Sequence, residues 1–114
     1  MKRDATLYLK DMLDQMEKAE GFIAGLSEEG FAKDEKTQYA VLRCIEVIGE
    51  AAKHVPAGIR KKYPKVPWRD MAGMRDKVIH FYFDVNVKRV WLALMEDIPA
   101  IQPILQMILK EIRE

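Results

Sequence analysis

The sequence predicts an all-α fold, a small antiparallel four-helix bundle with an additional short helix and a kinked C-terminal helix. Two observations carry that prediction. Apolar residues recur at alternating steps of four and three through long stretches of the chain, and no stretch alternates with period two. A third observation is punctuation, because Gly and Pro gather between those stretches.

The first stripe is Ala5, Leu9, Met12, Met16, Ala19, Ile23 and Leu26, one face of a helix. After the Gly-containing stretch "SEEGFAK", Asp34 offers an N-cap for a second helix over about residues 35 to 55. That helix carries Val41, Ile45, Ile48, Ala52 and Val55, with Ala40, Cys44, Val47 and Ala51 on the flank. Being apolar over most of its circumference, it should be the most buried. Its remaining stripe, Arg43, Glu46, Glu50 and Lys53, reads either as a solvated ion-pair ladder or as a polar strip facing a cleft. Pro56, Gly58, Pro64 and Pro67 mark a connector, with one short helix at "AGIRKKY". Pro67 suits the start of a third helix, from about Trp68 to His80 or Tyr82. The turn "FDVN" follows, with Asp84 or Asn86 as the cap. The last helix places Val87, Trp91, Leu94, Ile98, Ile101, Leu105, Ile108 and Ile112 on one stripe, but Pro99 and Pro103 interrupt it. A bent helix or two abutting pieces is expected.

Composition narrows the function classes. The 114 residues suit a single domain, 1–114, with a real core, and 49% hydrophobic against 32% charged residues is an ordinary globular balance. A net charge of +1 gives no global basic field. Cys44 is the single cysteine, which excludes an internal disulfide and a cysteine zinc cluster and suits a reducing cytoplasm. "MKRDATLYLKDMLDQ" is charged at short intervals, unlike a signal peptide, and no apolar run approaches the length of a membrane span. A cytoplasmic protein without a membrane segment is expected. Most of the seven methionines read as core filler.

The residues that could carry chemistry are few. There is no Gly-rich phosphate loop and no paired-histidine metal site, so no cofactor and no metal are expected. His54 falls in the last turn of the second helix, where it suits the dipole and reads as structural. The stretch "GMRDKVIHFYF" is different, because it sets Arg75, Asp76, His80 and Tyr82 among apolar residues. At about 100° per residue, Arg75 and Tyr82 share a face, and Asp76 and His80, four apart, are neighbours. Arg75 and His80 diverge by about 140° on a regular helix, so one chain brings them together poorly. A satisfied helix end remains one reading. The other is chemical: a guanidinium matches a phosphate bidentately, and an imidazole moves protons near neutral pH. Such a pair suffices for RNA cleavage by the substrate's own 2′-hydroxyl, a nucleophile that DNA lacks. Upstream, "IRKKYPKVPWR" supplies Arg60, Lys61, Lys62, Lys65 and Arg69 without an acid, either a phosphate track or a solvated basic edge. Tyr63 and Trp68 within it could stack on bases, though a core place suits Trp68 better.

The runs "IGEAAKHVP" and "KYPKVPWRDMAGMRDKVIHFYF" resemble the HEPN superfamily, and closely its HepT toxin branch, over about residues 37 to 95. The branch's hallmark, Arg, four residues, His, one residue, Tyr, is met by Arg75, His80 and Tyr82. The resemblance implies a HEPN-like helical bundle that forms a homodimer, joining two motifs in a composite site. It implies a metal-independent ribonuclease, the toxin of a type VII-like toxin–antitoxin pair, with Arg75 binding phosphate and His80 as acid or base. Its partner would be a minimal nucleotidyltransferase antitoxin of the MntA kind, which transfers AMP to the motif tyrosine, here Tyr82. Two positions depart from the pattern. Asp76 stands where Asn is frequent, and would repel a phosphate unless bonded to His80, whose ring it would then orient. "FDVN" replaces a commonly glycine-bearing turn. The alternative within the superfamily is a non-catalytic module that binds a nucleotidyltransferase and presents nucleotide or substrate to it.

Overall fold

The first helix, α1 (Ala5–Ile23), starts where the Asp4 carboxylate accepts a hydrogen bond from the Thr6 amide at 2.8 Å. It stops where Gly25 turns the chain at φ 82°, a left-handed conformation that costs glycine little. The computed structural model describes residues 4–80 and 86–113, and for 76–80 the backbone alone. The α1 stripe behaves as its spacing predicts, with Leu9, Met12, Met16, Ala19 and Ile23 all buried.

A helix the periodicity did not predict follows. "SEEGFAK" holds α2 (Glu28–Lys33), capped by the Ser27 hydroxyl, which accepts from the Gly30 amide at 3.0 Å. Glu28 and Glu29 in its first turn and Lys33 in its last suit the helix dipole. Six residues are too few to show a repeat, yet Phe31 within them is fully buried and packs against the Trp91 ring at 5.4 Å.

Helix α3 (Glu35–His54) begins at the predicted cap. The Asp34 carboxylate accepts from the Thr37 amide at 3.1 Å and from its hydroxyl at 2.6 Å. Those two bonds hold the Asp34 pKa below the usual carboxylate value. Gln38 reaches back to the Phe31 and Ala32 carbonyls, closing the end of α2. Val41, Ile45, Ile48, Ala52 and Val55 are buried, with Cys44 and Ala51 beside them. This helix is central, packed between α1 and α5.

Pro56 ends α3 and opens α4 (Ala57–Lys62), the predicted short helix. Helix α5 (Trp68–His80) begins with the Pro67 carbonyl accepting from Met71 at 3.0 Å. Trp68 is buried, and its indole N–H donates to the Tyr63 carbonyl at 3.1 Å. Tyr63 donates its hydroxyl to Glu111, a bond that pushes the phenol pKa up. Trp68 thus serves the core rather than a base-stacking surface.

Helix α6 (Val87–Leu92) is capped by Asn86, one of the two expected caps, which accepts from the Arg89 amide at 3.0 Å. A π-helical turn (Ala93–Asp97) then leads into α7 (Ile98–Arg113). Pro99 has no N–H, and in an α-helix its ring would press on the Met95 carbonyl. Widening the turn, with the Ile98 amide donating to Ala93, absorbs the misfit. Arg89 and Asp97 pair across that turn at 3.1 Å. The expected interruption is therefore two abutting pieces joined into one 27-residue rod, Val87–Arg113. That rod corrects the expectation that no apolar run reaches membrane-spanning length. By length and composition it qualifies, because the prolines break the pattern without breaking the helix.

Helix α7 packs on α1, where Gln102 donates to Glu20 at 2.7 Å, and α2 bridges α3 and α6. Between α5 and α7 lies a groove of about 390 Å³, lined by Met71, Met74, Ile101 and Ile104 and reaching Met16 and Ile48. The methionines divide accordingly. Among the described methionines, Met12 and Met16 are core, Met71 and Met74 are half-buried and pack against it where they line the groove, and Met95 and Met107 are exposed.

Candidate active site

Arg75 lies on the face of α5 that meets α3, and the approach there is close. A Cβ on Gly49 would sit 2.2 Å from the Arg75 Cβ and 2.8 Å from the Met71 carbonyl oxygen, so only glycine fits. The next residue, Glu50, accepts from Arg75 Nη2 through Oε2 at 3.1 Å. Its other oxygen, Oε1, lies 3.1 Å from His54 Nε2, one turn further along α3. The His54 ring stacks on Tyr8 of α1, with centroids 5.6 Å apart and planes inclined by 19°. These four side chains line a pocket of about 270 Å³, with Asp11 and Arg43 at its edge.

Along the polar stripe of α3, Arg43, Glu46 and Glu50 all line that pocket. Arg43 pairs with Glu46 at 3.2 Å, an exposed ion pair of the ladder kind, while Glu50 reaches across to Arg75. His54 holds its expected place in the last turn of α3, but its imidazole also meets Glu50 and Tyr8. Periodicity did not single out Tyr8, Glu50 and His54 as a set. The available signal was the four-residue spacing of Glu50 and His54 inside "IGEAAKHVP". Their link to Arg75 crosses 25 positions and had none.

Of the expected motif, Arg75 is placed with its contacts. Helix α5 continues regularly through His80, so its position and that of Arg75 diverge by about 140° around the axis. Asp76 and His80 occupy the expected i and i+4 positions of that helix, and their side chains lie outside the described residues. Tyr82 and Asp84 also lie outside them.

The basic residues Arg60, Lys61, Lys62, Lys65 and Arg69 are exposed. Arg60, Lys61 and Arg69 line a concave surface of about 420 Å³ together with Trp68 and Asp70. Lys62 sits over the Tyr63 ring, 5.5 Å from its centroid, while Lys65 belongs to the groove between α5 and α7. Cys44 is buried, which pushes its thiol pKa up and disfavours the thiolate a nucleophile needs.

Helical order and the Arg-x4-His-x-Tyr pattern of the sequence define a HEPN-like protein. Comparison with known proteins is more specific: the family described as "Ribonuclease HepT-like" matches residues 12–108, and the chain belongs to that family. It is 45% identical over 102 residues to a protein of Thermococcus cleftensis named "Probable ribonuclease HepT", covering 90% of this chain and 93% of that one. A Methanocaldococcus jannaschii protein named a "Putative RNase" is 42% identical over 113 residues, 99% of this chain and 97% of the relative. Another so named, from Caldanaerobacter subterraneus, is 40% identical over 104 residues, 91% and 93% of the two chains. No solved structure matches the chain.

Proposed function

We propose that this protein is a metal-independent endoribonuclease, the toxin of a toxin–antitoxin pair acting in the cytoplasm. The observation that carries the reading is the whole Arg75–His80–Tyr82 motif, kept in a chain that belongs to the HepT-like family. Arg75 binds the scissile phosphate through its forked donors. His80, oriented by Asp76, takes the proton of the adjacent 2′-hydroxyl as that oxygen attacks phosphorus. The bond from phosphorus to the 5′-oxygen breaks, the leaving oxygen takes up a proton, and a 2′,3′-cyclic phosphate and a 5′-hydroxyl result. Arg60, Lys61 and Arg69, clustered on one concave surface, are the basic residues best placed to follow the RNA backbone.

The active species is a homodimer. The wide angle between Arg75 and His80 supports this, since a second copy supplies what one helix cannot bring together. The exposed apolar side chains Leu92, Met95 and Met107 on the α6–α7 rod offer surface for association. The partner is a nucleotidyltransferase antitoxin of the MntA kind, which transfers AMP from ATP to the Tyr82 hydroxyl and releases pyrophosphate. The new phosphodiester carries negative charge where Arg75 is to meet RNA.

Cleavage of RNA by the purified protein in excess EDTA tests the reading. Wild type should cleave, and Arg75→Ala and His80→Ala should each lose about a hundredfold or more. Equal cleavage by all three sinks it. Mass spectrometry after co-expression with a neighbouring nucleotidyltransferase should find added AMP on Tyr82. Neutralised toxicity without that mass would instead mean inhibition by binding, or a module that only presents substrate.

A further inference from the structure

The motif comes from α5 and the residues after it, yet the carboxylate that holds Arg75 comes from α3. Glu50 touches Arg75 with one oxygen and His54 with the other, each at 3.1 Å, and His54 stacks on Tyr8. We propose that Glu50 is a positioning residue for Arg75 and that His54, acting through Glu50, makes the grip on Arg75 depend on pH. The inference rests on the ribonuclease reading.

A guanidinium on a long stem must be held to meet a phosphate in a fixed geometry. Glu50 takes a hydrogen of Nη2, one of the five N–H groups in the fixed fork of a guanidinium, and so sets the direction in which the fork lies. Gly49 makes the contact reachable by letting α5 come down onto α3. The Glu50 side chain is 46% exposed, so the ion pair adds little to stability, and its consequence is direction.

His54 sets how firmly that direction is kept. Neutral, and protonated on Nε2, it gives Glu50 one ordinary hydrogen bond, and the carboxylate's charge is left for Arg75. As an imidazolium it draws the carboxylate toward itself and loosens the hold on Arg75. Around these contacts stand Tyr8 and Asp11 from α1, Arg43 and Glu46 from α3, and Arg75 from α5. Among them only the imidazole belongs to a residue type that ordinarily changes charge near neutrality. The proposal therefore predicts a limb in the pH profile of cleavage that depends on the presence of His54.

The test is steady-state cleavage of a short RNA oligonucleotide across pH, with kcat and KM resolved, for wild type, Glu50→Gln and His54→Gln. Glu50→Gln keeps shape and an acceptor oxygen without the charge, and should lower kcat/KM by roughly ten- to a hundredfold. His54→Gln keeps an N–H for Glu50 but does not titrate. It should cleave like wild type at high pH and lose one limb of the profile. Wild-type kcat and KM in Glu50→Gln, or an unchanged profile in His54→Gln, overturns the proposal. Should Glu50→Gln fail to fold, the half-exposed His54 still decides it. Arg75→Ala and His80→Ala run alongside. If they cleave normally, the ribonuclease reading has failed. If they are inactive while the Glu50 and His54 variants match wild type, this inference alone has failed.

Discussion

Gly49 is where one missing side chain decides the site. Gly49→Ala places a methyl inside the van der Waals envelope of both the Arg75 stem and the Met71 carbonyl, so α5 must move off α3. Overpacking of this kind costs about 1–3 kcal/mol, and in a domain near this size each kcal/mol lowers Tm by about 4–8 °C. A thermal melt should show that loss, and RNA cleavage should fall further than the melt alone accounts for, because the Arg75–Glu50 contact goes with it. Asp34 gives the prediction for pH. Its pKa is lowered by Thr37, so its contribution is complete above the ordinary carboxylate value and is lost as pH falls through the lower folded value. The gap in stability between wild type and Asp34→Ala should accordingly be widest near neutral pH and close in acid. Asp34 was legible from the sequence, because a cap acts on an amide three residues away. Gly49 was not, because its meaning depends on Arg75, 26 positions on.

At the scale of elements, α2 has the most to teach. Its six residues show no periodicity, but Phe31 is fully buried between α3 and the α6 ring Trp91. Phe31→Ala should cost about 3–5 kcal/mol, as for other buried aromatics, and urea denaturation should measure it. A near-neutral result would mean that α2 is dispensable to the core. The π turn before Pro99 is the complementary case. The sequence announced a break, and the helix met it by widening one turn while keeping its apolar stripe on α1. Around α4 and the following loop, Arg60, Lys61 and Arg69 line one concave surface and Lys65 an adjoining one, the two meeting at Pro67 and Asp70.

At the scale of the whole molecule, the prediction concerns association. The proposed homodimer should appear in light scattering at twice the 13.2 kDa mass, and its Tm should rise with protein concentration. A monomer at every concentration that still cleaves RNA would show that Arg75 and His80 meet within one chain. Charges introduced at Met95 and Met107, exposed on the α6–α7 rod, should weaken the dimer if that face joins the copies.

By itself the sequence determined the helical class, the buried stripes of α1 and α3, the cap at Asp34, the choice of Asp84 or Asn86 for the next, and the motif built on Arg75. All of these act within a few residues, where spacing and hydrogen-bond chemistry are written directly into the chain. Only the tertiary structure decided that Glu50 holds Arg75 across the pocket, and that His54 and Tyr8 stand behind it. Those contacts cross from α1 to α3 to α5, and they exist because Gly49 allows two helices to approach.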